Sequence, residues 1–155
     1  MELARDPALL KQVREEVMTT IHVDPATGQR TLNSQKLVTI PLLQSIYIEA
    51  MRLHVSMNIT REIVEPIELD NHILEKGSLL QAPSEIAHYD ERTWGVAGHP
   101  ASEFWAARHI AYTDTPDGNG GVTRVSQLNM AGRSNDFIPY GKLVSARRHT
   151  QHEIC

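Results

Sequence analysis

Apolar residues recur at helical spacing in two stretches of the chain. Leu9, Leu10, Val13 and Val17 share one face, with Lys11, Arg14, Glu15 and Glu16 largely on the other, which predicts an amphipathic helix from about Pro7 to Thr19. Asp6-Pro7 supplies its N-cap and a first-turn proline. The stronger pattern is Leu42, Leu43, Ile46, Ala50 and Leu53, opened by Pro41 and running to about His54. Between the two, Asp24-Pro25-Ala26-Thr27-Gly28 predicts a turn and Asn33-Ser34 caps a short helix through Leu37. Beyond His54 the period changes. Asn58–Val64, Pro66–Leu69, His72–Leu74 and Ser78–Gln81 are short β-prone runs, separated by the turn chemistry of Asp70-Asn71 and Lys76-Gly77. They predict a compact antiparallel meander. From His88 onward glycines and prolines punctuate a long stretch with little regular patterning, the mark of a ligand scaffold or of disorder.

Composition narrows the partners. With 155 residues, 41% hydrophobic and 22% charged, the chain can bury a core of its own. A net charge of −4 and the lack of a basic face argue against nucleic acid. No apolar run approaches membrane-spanning length, and the N-terminus lacks a signal-peptide pattern. The single cysteine, Cys155, excludes an internal disulfide framework.

Glu49 and Arg52 are three apart on the Pro41–His54 helix and therefore neighbours. By spacing alone they form either a solvated surface pair or part of a site. The order of motifs around them resembles the C-terminal part of a cytochrome P450, a haem-thiolate monooxygenase. Glu49-x-x-Arg52 resembles the family's paired Glu and Arg beneath the haem. Ile73–Ser78 resembles a hairpin with its Lys-Gly. Ala87-His88-Tyr89-Asp90 with Trp94-Gly95 resembles the His-x-Asp…Trp-Gly segment, and Phe104–His109 the Pro-Glu-Arg-Phe region. Phe137-Ile138-Pro139-Tyr140-Gly141 resembles the start of the haem-binding loop. The resemblance implies an α+β, partial cytochrome P450 fold: helices, a small antiparallel sheet, then a long loop-rich region, in one partial domain over residues 1–155. It implies a structural triad of Glu49, Arg52 and Arg108, and cofactor contacts from Arg61, Phe137 and Gly141. Arg61 stands where a family arginine meets a haem propionate; its alternative is a solvent-facing strand residue.

The sequence also departs from the family. Without gaps, the position of the axial cysteine holds Arg147, and a guanidinium has no lone pair to give. Lys142 and Leu143 replace flexible glycines, and Ala107 stands where the family usually has Glu. Cys155 lies too far on to serve as the axial ligand. His149, His152 and Glu153 have metal-like spacing, with a solvated face as the alternative. The family's membrane anchor, its long oxygen-activating helix and most substrate-contacting segments have no counterpart in the chain, so a truncated, soluble and cytoplasmic product is expected.

Three functions follow from the resemblance. The first is a haem monooxygenase oxidising a lipophilic small molecule in fungal specialised metabolism, with an NADPH-dependent reductase as partner. The second is a non-catalytic remnant that binds no haem. Gly141-Lys142 is encodable by GGTAAG, a splice-donor sequence, and intron read-through there would explain the abrupt departure. The third is an interaction module using what survives of the reductase-docking face.

Overall fold

A computed structural model describes residues 2–118 and 121–140. Helix α1 spans Pro7–Met18, and its Asp6 cap accepts a 2.9 Å hydrogen bond from the Leu9 N–H. A small hairpin follows, β1 (Ile21–Val23) against β2 (Arg30–Leu32), closed over the Asp24–Gly28 turn. Asn33 then caps the short α2 (Ser34–Leu37) through the Lys36 N–H at 3.0 Å. The long helix α3 occupies Pro41–His54. It starts without a side-chain cap, on a proline whose missing N–H would have been an orphan there.

The strands after α3 form nested hairpins. β3 (Asn58–Glu62) pairs with β6 (Leu79–Pro83), while β4 (Ile67–Leu69) pairs with β5 (His72–Leu74) inside that loop. This corrects the expected meander: the first strand takes the last as its neighbour and skips the inner pair. The two-residue connection of the inner hairpin, Asp70-Asn71, has φ of 49° and 63°, the left-handed pair of a type I′ turn that matches strand twist. Two one-turn helices, α4 (Ser84–His88) and α5 (Glu91–Trp94), lead into an irregular segment.

The region expected to be irregular contains a long hairpin, β7 (Ile110–Pro116) with β8 (Val122–Leu128), in register from Ile110 opposite Leu128 to Pro116 opposite Val122. Most of its residues are exposed, so no apolar alternation signals it. Its proline sits at the turn end, where loss of a ladder donor costs least. The β1–β2 hairpin likewise exposes nearly every residue.

One apolar core lies between α1 and α3. Val13, Leu42, Ile46 and Ala106 are buried together, with Leu9, Val17, Phe104 and Ile110 against them. Yet the largest fully enclosed side chains are Trp94, Arg52, His88, His109 and Glu49, so the deepest part of the molecule is mostly polar. No helix among the described residues is long and apolar enough to cross a membrane.

The inner hairpin gives a direct check on its turn. A β-branched residue at the left-handed Asn71 position meets a steric cost of about 1–2 kcal/mol. Asn71→Val should therefore lower stability in urea by about that much, whereas Asn71→Gly should hold or raise it. Equal midpoints for the two variants would rule out the I′ turn.

Candidate functional site

The i,i+3 spacing on α3 aims Glu49 and Arg52 at the same neighbours, and both side chains are wholly buried. Arg52 meets the carboxylate as a fork, Nε to Oε2 at 3.0 Å and Nη2 to Oε1 at 2.8 Å. Arg108 adds its Nε to Oε1 at 2.8 Å from the far side. The backbone N–H of Trp105 reaches the same oxygen at 3.2 Å, and His109 Nε2 lies 3.1 Å from Oε2.

Both guanidinium groups use their remaining N–H donors on backbone carbonyls. Arg52 Nη1 donates to His88 O and Ala101 O, each at 2.6 Å. Arg108 Nη1 donates to Trp94 O and to His99 O, and its Nη2 to Pro100 O and Glu103 O at 2.8 Å. These acceptors are the last residues of α4 and α5 and residues of the irregular segment that follows them. The arginines thus do for its carbonyls what a sheet ladder would do.

Aromatic rings close the site. The Trp94 indole is fully buried and donates to Ala87 O at 2.7 Å. The Arg52 guanidinium lies 5.3 Å from its ring centroid, and Arg133 lies 6.0 Å away. Arg133 also donates to Arg108 O at 2.8 Å and to Thr93 O at 3.2 Å. The His109 ring meets Trp94 edge-on at 5.8 Å. Beside this network is a polar cavity of about 580 Å³, bordered by Arg92, Arg108, His109, Asn129 and Arg133.

Of the residues singled out from sequence, Glu49, Arg52 and Arg108 meet in one network. Phe137 sits at its edge, its ring 6.4 Å from Trp94 and 6.0 Å from His88. Arg61 does not join. It is exposed on β3 and donates to the carbonyl of its own neighbour Thr60 at 3.0 Å. Gly141 and Arg147, together with His149, His152, Glu153 and Cys155, lie outside the described residues. Sequence reasoning assigned no role to His109, Arg133 or His88. His109 and Arg133 lacked a helical or strand period to mark them, and His88 sat in a quoted motif whose partner was not apparent.

The electrostatics follow from burial and bonding. Burial alone would raise the Glu49 pKa, but hydrogen bonds from His109, Arg52 and Arg108 reverse this and lower it to about 2. His109 is held below the usual histidine range by burial, against the opposing pull of Glu49. With Glu49 ionised, His109 carries its proton on Nε2 and donates it to the carboxylate, leaving a buried Nδ1 without a partner among the described residues. His88 is also held low, again chiefly by burial.

The chain belongs to the cytochrome P450 family, whose model matches residues 1–98 and so includes Glu49, Arg52 and Arg61. Cytochrome P450 monooxygenase calL of Penicillium decumbens is 50% identical over 141 residues, 91% of this chain and 25% of that protein. Cytochrome P450 monooxygenase efuG of Hormonema carpetanum is 26% identical over 175 aligned positions, 99% of this chain and 31% of the relative. Cytochrome P450 11B, mitochondrial, of Aquarana catesbeiana is 32% identical over 81 residues, 52% of this chain and 15% of its own. The chain therefore spans about a quarter to a third of the first two of these curated relatives.

The family implies haem, and haem-thiolate chemistry requires an axial sulfur. Arg147, expected at the axial position from the sequence, and Cys155 lie outside the described residues and beyond the matched stretch. Arg61, the expected propionate partner, has its head group turned to its own strand.

Two expectations follow from the network. Removing one member strands buried charges, at a typical cost of about 3–5 kcal/mol. Arg52→Ala and Arg108→Ala should each destabilise by that order in urea, and the double substitution should add little to either single. Losses within about half a kcal/mol of the parent would make the carboxylate a solvated group.

Stability should also fall with acid, in two windows. His88 and His109 are neutral in the fold and take up protons more readily when unfolded, so their contribution is lost as pH falls below about 6.5. Glu49 is depressed, so its contribution is present above the ordinary glutamate value of 4.5 and is lost as pH falls towards about 2. Urea midpoints measured from pH 7 downward should drop in both windows, and His109→Asn should flatten the upper one. A flat profile between about pH 7 and 5 would contradict neutral, buried histidines.

Proposed function

We propose that this chain provides the structural layer that lies beneath the haem in a cytochrome P450 monooxygenase. The whole protein would oxidise a lipophilic small molecule in fungal specialised metabolism, with an NADPH-dependent reductase as electron donor. In this reading Glu49, Arg52 and Arg108 pin the irregular segment to α3, and Phe137 and Gly141 open the haem-binding loop. Arg61, exposed on β3, would offer a propionate the guanidinium donors that it does not spend on the Thr60 carbonyl. The observation that carries the reading is the single buried carboxylate shared by two arginines from distant parts of the chain, 59 residues apart for Glu49 and Arg108. Support comes also from the fungal relative that is 50% identical across most of the chain.

Arg147 favours a second statement: a polypeptide with this sequence forms no haem-thiolate centre by itself and is catalytically silent in this form. As one partial domain it would serve as a non-catalytic remnant or an interaction module.

Reconstitution tests both parts. The chain mixed with haemin, reduced and exposed to carbon monoxide should give no Soret band at the thiolate-ligated position. Such a band, lost in Cys155→Ser, would overturn the second statement. A hybrid of the Penicillium decumbens relative carrying residues 1–136 of this chain, with the relative's own loop retained, should give the thiolate band. Extending the graft to residue 155 should abolish it while circular dichroism shows the fold intact. Failure of the shorter hybrid to form the centre would overturn the first statement.

A further inference from the structure

One link from the network around Glu49 to the segment that opens the loop is the ring of His88. Its side chain is fully buried at the end of α4. Its backbone carbonyl accepts from Arg52 Nη1 at 2.6 Å, and its Nε2 accepts the backbone N–H of Ile138 at 3.1 Å. The ring also packs against Phe137, with centroids 6.0 Å apart and planes at 30°. Nδ1 is buried with no partner in hydrogen-bond geometry among the described residues. An imidazole whose Nε2 accepts a hydrogen bond must carry its proton on Nδ1.

We propose that His88 is a positioning residue: its neutral Nδ1–H tautomer holds Phe137–Ile138 in register against the Arg52 end of the buried network, and adding a proton releases that segment. Protonation converts Nε2 from acceptor to donor, so two N–H groups would face each other where one hydrogen bond now stands. The charged group acting on the ring is Arg52 of α3, whose positive charge opposes a second one nearby. The backbone carbonyls of Arg52 and Val55 pull the other way, towards a protonated ring, but burial outweighs them. Among the described residues of the loop side the ring faces an aromatic ring and an N–H, neither of which can neutralise an imidazolium. The link to a haem-binding loop rests on the function proposed above; the latch itself does not.

Amide exchange of the full haem-free chain tests the latch, with protection of Ile138 corrected for the intrinsic exchange rate. At about pH 7.5 the parent should protect Ile138, and protection should fall roughly tenfold, the size expected for one hydrogen bond, once the pH is carried below the ordinary histidine range far enough to protonate the ring. His88→Phe keeps a ring without an acceptor and should show the low value at both pH values. His88→Gln places a carbonyl oxygen near the Nε2 position and should keep protection at both. Nitrogen chemical shifts of the parent ring give a readout independent of any variant and should show protonated Nδ1 and bare Nε2 at neutral pH. The opposite tautomer, pH-independent protection in the parent, or parent-like protection in His88→Phe would overturn the proposal. Loss of protection in His88→Gln equal to that in His88→Phe would do so too. None of these readouts involves haem, so a failure here is distinct from a failure of the reconstitution test.

Discussion

The carboxylate of Glu49 is the group on which the described structure turns. It sits out of water and is shared by Arg52, Arg108, the Trp105 N–H and His109. A lone buried carboxylate would take up a proton sooner than stay charged. Here the surrounding donors keep it ionised, with a pKa of about 2 despite its burial. The two arginines outnumber the acid, and the excess charge is met by carbonyl oxygens of residues 88–103. That exchange is mutual. The irregular segment needs donors because, a single Val96–His99 bridge apart, it pairs with no strand among the described residues, and the arginines need acceptors because they share the one carboxylate of Glu49. Arginine suits both needs, since its planar fork bonds the acid along one edge and backbone along another.

The same logic extends outward in layers. Trp94 presents its ring near Arg52 and Arg133, its edge contact to His109, and its indole N–H to Ala87 O. Arg133 returns from beyond β8 to bond Arg108 O and Thr93 O, fastening the chain after the long hairpin to the segment before it. His88 passes the order on to Ile138. A polar centre of this kind costs desolvation, and an apolar core of equal volume is often more stable. What it gives here is direction: each donor accepts only a narrow set of partners, so the loop has one register where a greasy contact would allow several.

The sequence announced the parts with strong periodicity and hid the rest. α1, α2 and α3 were legible from their caps and apolar stripes, and α3 brought Glu49 and Arg52 to one face, as i,i+3 spacing requires. The nested pairing of β3 with β6 was not legible, because short runs of exposed residues carry no register signal. β7 and β8 were missed for the same reason: both faces meet water, so polar and apolar positions do not alternate. Arg108 entered through a resemblance, since nothing in its local pattern says that it returns to α3. His109 and His88 are buried for tertiary reasons alone. Arg61 shows the converse, a motif position whose side chain the structure leaves on the surface.

The closure of the network on itself has a physical consequence. Every bond to Glu49 comes from residues 52–109, and the further clasps of Arg133 and Ile138 come from the chain up to residue 138. These bonds close among protein groups, so the geometry of the inner layer rests on the buried acid and its arginines supporting one another. The register of residues 88–109 is therefore set by the network itself, because each guanidinium donor has its acceptor within that stretch or on α3.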